Sequence, residues 1–301
     1  QPAKTYLQIV GGFCILNALI PICSSYLRAF GFSKEPLYAS IIGNVINFCL
    51  NAFFLFVLHK GVAGVATATV ISRIINLVIV VLLGAVLVKA KQHPERESNR
   101  AVMGQIIRIG LPSACETAIY NVSMTLVIRF LNQMDAQGLN VTARSYTMQI
   151  TNFSYCVGAA LAQANAIMTG WHIGAKEYDA CDRGTKKAAV IGVIVAVILE
   201  TVFTLCSGWI MQLFSKDPQM VSLVGKLLAI DIVLEIGRVT NLVYGQALKT
   251  SGDAVFPVVM GACFMILCSV GGTYLFGIRL GLLAVGAYIG MTGDECVRAV
   301  G

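Results

Sequence analysis

Nine apolar stretches, near residues 5–27, 36–58, 64–88, 108–131, 147–171, 188–212, 222–248, 254–277 and 280–300, leave this chain few ways to fold. Each is long enough, at about 20 residues, to cross a bilayer core of roughly 30 Å as a helix. Composition agrees: 57% of the residues are hydrophobic, 12% are charged and the mean hydropathy is +0.77, which excludes a soluble domain with a charged shell. The fold class read from the sequence is therefore an all-α polytopic membrane protein with about nine spans.

The net charge of +7 suggests orientation in a membrane and not nucleic-acid binding, because Lys and Arg gather in alternate loops. Thirteen lie in the set formed by 28–35, 89–108, 173–187, 249–253 and the C-terminus, against four (Lys60, Arg144, Lys216, Arg279) in the opposite set. That bias places the first set, and the C-terminus, in the cytoplasm. Nine spans then leave residue 1 outside; the chain opens on Gln1 without a signal sequence, so an upstream segment is expected. The ten cysteines lie mostly in the spans, without a CxxC pair or a histidine cluster, and read as packing residues with no metal role.

An internal repeat supports the same expectation. Leu27-Arg28-Ala29-Phe30-Gly31 with Pro36 recurs 221 positions later as Leu248-Lys249-Thr250-Ser251-Gly252 with Pro257. The second half begins near residue 104, so its counterpart would begin about 117 residues upstream of the chain, adding three spans for a total of twelve. Residues 89–107 hold the long polar run and read as a cytoplasmic linker between two bundles.

Ionisable groups within spans are costly and point to function. Asp231, Glu235 and Arg238, at i, i+4 and i+7, share one helical stripe. Glu116 follows Pro112 by one turn, and its depth of roughly 12 Å approaches the roughly 15 Å of Arg238, counting 1.5 Å per residue from Arg108 and Leu248. If Arg238 pairs with Glu116 or Glu235, the other carboxylate is free to load and release a proton, and a cationic substrate can compete for it. The alternative is a static triad that joins two helices. Asp231 reads either as a solvated helix end or as part of the site, and Glu200 as facing lipid or a cavity. Asn44, Asn47 and Asn51 form a polar stripe that faces a cavity or bonds a neighbouring helix. Tyr146, Asn152 and Gln163 read first as interhelical hydrogen-bonding groups, with Gln163 kept among the cavity candidates. Arg73, roughly 13 Å deep, is expected to find its partner upstream of the chain.

The order and spacing of LRAFGFSKEP, NVINFCLN, GVAGVATATV, IGLPSACE, ALAQANAIMTGWHIGAKEYDA, LFSKDP, ALKTSGD and DECVR resemble the multidrug and toxic compound extrusion (MATE) transporters along essentially the whole chain. The resemblance implies two six-helix lobes about a pseudo-twofold axis along the membrane normal, with a central cavity. Residues 1–88 would then be the C-terminal half of the N-lobe (three spans) and 108–301 the C-lobe (six spans). It further implies a multi-pass protein of the inner (plasma) membrane, monomeric and without a cofactor, that exports organic cations or amphipathic drugs in exchange for H⁺ or Na⁺. Three positions depart from the family pattern: an N-x-x-x-D run reads Asn47 to Asn51, a carboxylate of the Na⁺-linked branch is Tyr120, and another is Arg238. The site therefore shifts to Glu116 and Glu235, with Arg238 setting their charge balance. A lipid-linked oligosaccharide flippase, which a more basic cavity would favour, and an inactive fragment are the alternatives. An intramembrane enzyme is not expected, since His59, His93 and His172 form no HExxH motif.

Overall fold

The computed structural model describes residues 2–89, 99–134, 138–215 and 217–300, and among them every regular element is helical. The chain divides into two compact units, Gln1–Arg96 and Glu97–Gly301.

The first unit contains α1 (Pro2–Gly12), α2 (Ile15–Ala29), α3 (Lys34–Ala52) and α4 (Gly61–Lys89). The first apolar stretch is bent by 43° at the Gly12–Ile15 break, so it is a pair of helices and not one rod. Helix α4 packs on α1, α2 and α3, and Leu27, Ala39, Val80 and Val88 form the core between them. Asn47 Nδ2 donates to Ser72 Oγ at 3.1 Å and Asn51 Nδ2 to Asn47 Oδ1 at 3.0 Å, so the asparagine stripe bridges α3 to α4. Arg73 Nη1 donates to Asn17 Oδ1 on α2. This corrects the expectation of a partner upstream, since a neutral amide on a neighbouring helix of the same unit takes the guanidinium.

The second unit contains α5 (Asn99–Met134), α6 (Leu139–Gly174), α7 (Tyr178–Leu205), the short α8 (Ser207–Gln212), α9 (Pro218–Thr250), α10 (Val255–Phe264) and α11 (Leu283–Val300). Of the expected linker, 90–98 lie outside the described residues, whereas 99–107 form the first turns of α5. Helix α9 is the hub, packed against α6, α7 and α11. It starts sharply because Asp217 Oδ1 accepts from Gln219 N at 3.0 Å and Pro218 occupies the first turn, where a missing N–H costs nothing. Leu227, Leu228 and Leu234 on α9 join Val127, Leu131, Ile150 and Tyr288 in the larger core. Val239 and Val243 meet Ala162, Ala189 and Ala196 in the smaller one.

The sequence repeat is also a repeat of local geometry. At the end of α2, Gly31 (φ +88°) turns left-handed, Gly31 N donates to Arg28 O at 2.9 Å and Phe32 N to Leu27 O at 3.0 Å. At the end of α9, Gly252 (φ +98°) does the same, with Gly252 N bonded to Lys249 O at 3.2 Å and Asp253 N to Leu248 O at 3.1 Å. Both ends are Schellman caps, in which only glycine adopts the left-handed residue without strain. The span after each cap ends in a π-helical stretch, Phe53–Val57 in one case and Thr273–Arg279 in the other.

Lys34–Val57, Gly61–Val88, Tyr178–Leu205 and Val255–Arg279 are each long and apolar enough to cross a membrane, and the bent α1–α2 pair makes a fifth if taken as one span. The remaining long helices carry charges within their apolar runs, Glu116 in α5, Arg144 in α6, Asp231, Glu235 and Arg238 in α9, and Asp294, Glu295 and Arg298 in α11. Large apolar side chains such as Phe48, Phe56, Val86 and Ile198 stand exposed, as suits helices whose solvent is lipid.

Candidate functional site

The stripe on α9 sets the site. Gly237 lets α11 approach so closely that a Cβ there would lie 2.7 Å from the carbonyl carbon of Glu295. That contact brings a second charged run, Asp294, Glu295 and Arg298, beside the first. Arg238 Nη1 donates to Glu235 Oε2 at 2.7 Å, and Arg238 Nε lies 4.0 Å from Glu295 Oε1. Arg298 completes the run, with Nε 2.9 Å from Asp294 Oδ1 and Nη2 3.0 Å from Glu295 Oε2. Asn241 Nδ2 caps Glu295, donating to its backbone oxygen and to Oε2, each at 2.8 Å, and Ser269 Oγ donates to Asp294 Oδ2 at 2.8 Å. The short ion pairs thus lie within each run, and the two helices meet through Asn241 on Glu295 at 2.8 Å and the longer approach of Arg238 Nε to Glu295 Oε1 at 4.0 Å.

These residues border an open cavity of about 1030 Å³ lined by α5, α6, α9, α10 and α11. Its charged lining is balanced, with Glu116, Asp231, Asp294 and Glu295 against Arg144, Arg238, Lys249 and Arg298. Tyr120, Asn152, Tyr155 and Tyr288 add polar tips, and Met124, Met148, Met260, Met265 and Met291 supply soft apolar surface.

The cavity gathers four of the residues singled out from the sequence as site candidates: Glu116, Tyr120, Asp231 and Arg238. Glu235 is fully buried behind the wall on its bond to Arg238, and its Oε1 has no hydrogen-bond partner among the described residues. Gln163 is exposed on α6 and does not line the cavity. Asn47 and Asn51 belong to the other unit.

The structure decides between the alternatives for Arg238 and Asp231 and corrects two expectations, a free Glu116 and the place of Glu200. Arg238 takes Glu235 of the two carboxylates, but Glu116 is not left free: Lys249 Nζ donates to Glu116 Oε2 at 2.6 Å, because α9 continues to Thr250 and carries Lys249 to α5 instead of leaving it in a loop. Asp231 is not a solvated helix end: it is 2% exposed, and its Oδ2 has no hydrogen-bond partner among the described residues. Glu200 faces neither lipid nor the cavity, being fully buried on α7 within electrostatic range of Asp231, Glu235 and Arg238. Both of its carboxylate oxygens lack a hydrogen-bond partner among the described residues.

Sequence reasoning missed Asp294, Glu295, Arg298, Arg144 and Lys249 as site residues. The first three carry a legible signal, acid and base at i, i+1 and i+4 in the last apolar stretch, ionisable groups within an apolar helix as on α9. Arg144 and Lys249 were hidden by helix ends, each of which falls farther out than hydropathy suggests.

A family model described as MatE matches residues 112–275. The chain is 33% identical over 304 residues to the uncharacterized transporter YisQ of Bacillus subtilis, covering 99% of this chain and 66% of that protein. It is 21% identical over 308 residues to the probable multidrug resistance protein NorM of Thermotoga maritima, covering 99% of this chain and 65% of that one. The crystal structure of MATE in the straight conformation superposes with a TM-score of 0.86 at 18% identity, over 98% of this chain and 67% of the other. The chain therefore spans about two-thirds of the length of these proteins.

Proposed function

The chain belongs to the MatE family, and from that premise we propose that it serves secondary active export of cationic or amphipathic organic molecules, in exchange for inward H⁺ or Na⁺. The observation that carries this reading is the cavity of about 1030 Å³, whose charged lining lies on helices that are otherwise apolar. Charged groups in a bilayer are retained where they bind or move something. Five methionines and four tyrosines in the wall give an adaptable, amphipathic surface suited to varied organic cations.

The exchange follows from the carboxylates. A carboxylate without a partner in a dry interior is costly unless a proton or a cation neutralises it. Asp231, with Glu235 and Glu200 behind it, is such a set, and Arg238 holds only part of its charge. An incoming organic cation and the coupling ion then compete for the same negative charge, so loading one releases the other. In a lipid-linked oligosaccharide flippase a diphosphate would call for excess positive charge, whereas here cations and carboxylates of the lining are equal in number.

On the same reading, the nine apolar stretches of the sequence each cross the inner membrane once, residues 1–88 and 108–301 belong to an N-lobe and a C-lobe joined by a cytoplasmic linker, and the C-terminus is cytoplasmic. The protein acts as a monomer and without a cofactor. Purified protein in ethidium-loaded proteoliposomes tests the function: a pH gradient or a Na⁺ gradient should speed efflux relative to protein-free vesicles, and the effective gradient names the ion. Efflux indifferent to both gradients refutes antiport.

A further inference from the structure

Pairing within the cavity leaves one charge of each sign over. Lys249 lies on Glu116, Arg238 on Glu235, and Arg298 on Asp294 and Glu295. Arg144 and Asp231 remain: among the described residues neither has an opposite charge within 4.0 Å.

Arg144 is the more informative of the two. It is 6% exposed, lines the cavity from α6, and its Nε has no hydrogen-bond partner among the described residues. Its Nη2 points to Met124 Sδ at 3.4 Å, a weak acceptor for a guanidinium. Arginine stays charged and presents a planar fork matched to an oxyanion, so a buried guanidinium facing a cavity with a thioether for company is arranged for a ligand acceptor. Tyr288, which also lines the cavity, is within electrostatic range of both Arg144 and Asp231.

We propose that Arg144 is an anion-recognition residue of this cavity, and that the ligand it takes is an amphoteric organic molecule whose carboxylate docks on Arg144 while its cationic end is held at Asp231. The proposal deepens the export reading above and rests on it for the cationic end. It narrows the substrate class from organic cations in general to molecules that carry both charges.

A matched pair of dyes tests it: a rhodamine with a free carboxylate and its ethyl ester, which keeps the cation and loses the anion. Binding to the purified protein in phosphatidylcholine nanodiscs is read by fluorescence polarisation. The free acid should bind at least about tenfold more tightly than the ester, the size of effect that a charge-assisted bond to a buried guanidinium gives. That ratio should fall to about one in R144Q and be kept in part by R144K, whose thermal unfolding reports whether the fold is intact. An unchanged ratio in R144Q, equal binding of the two dyes by the unsubstituted protein, or binding of neither overturns the proposal. Loss of the preference when phosphatidylglycerol is added to the nanodiscs also overturns it, since a lipid phosphate then occupies Arg144. The two readings fail separately: a preserved dye ratio without gradient-driven efflux sinks antiport alone, and gradient-driven efflux with equal dye binding sinks the Arg144 assignment alone.

Discussion

Lys249 Nζ lies 2.6 Å from Glu116 Oε2, a bond that closes 133 positions of chain and ties the end of α9 to the middle of α5. Both side chains are mostly buried, at 18% and 22% exposure, so the pair is sheltered from the screening that makes surface ion pairs weak. Its basic partner occupies the position that Arg28 holds in the first copy of the repeat, where the same cap geometry recurs.

A double-mutant cycle with E116Q and K249M should therefore show a coupling energy of about 1–3 kcal/mol in unfolding of the purified protein, each single change costing more than its share of the double. Additive losses would mean that the bond holds nothing together.

Gly237 governs the approach of α11 to the charged stripe. G237A places a methyl carbon 2.7 Å from the Glu295 carbonyl carbon, and backbone cannot yield as a flexible side chain can. The substitution should cost about 1–3 kcal/mol, seen as a lower melting temperature in detergent. It should also weaken organic-cation binding, because Glu295 moves with its helix.

The two caps make a paired prediction. A methyl group added at Gly31 or Gly252 would meet open space, whereas their φ values are +88° and +98°, so alanine at either position meets backbone strain alone. G31A and G252A should each destabilise by about 1 kcal/mol, and asparagine, which tolerates the left-handed region, should cost less at each position. A tolerated alanine at one cap and not at the other would show that the repeat is shared in sequence without a shared mechanical role.

Much of this architecture is legible in the sequence. Apolar length locates the long helices, and the Leu-Arg/Lys…Gly…Pro repeat, read as a duplication, coincides with both caps because a Schellman cap needs glycine at one fixed place. The stripe Asp231–Glu235–Arg238 marks the candidate site because three ionisable groups on one face of an apolar helix need a common reason. What stayed hidden depended on helix ends and on partners distant in sequence. Hydropathy ends a helix where charge begins, so Lys249 and Arg144 read as loop residues, although α9 and α6 extend past them. The choice of partner for Glu116 was equally out of reach, since depth along a helix says nothing of which neighbour faces it. Arg298 reads in the sequence as a cytoplasmic end charge, whereas it lines the cavity and pairs with Asp294 and Glu295.

The central claim is that an organic cation and the coupling ion share Asp231 of the cavity and the carboxylates buried behind it. The most direct test is substrate-driven ion movement in proteoliposomes, with a pH-sensitive and a Na⁺-sensitive dye reporting the ion as an ethidium gradient is imposed. Ion movement opposite to ethidium is expected in the unsubstituted protein, with at least about a tenfold loss in D231N and in E235Q, each of which removes one negative charge from the shared set. Undiminished ion movement in both variants would contradict the claim.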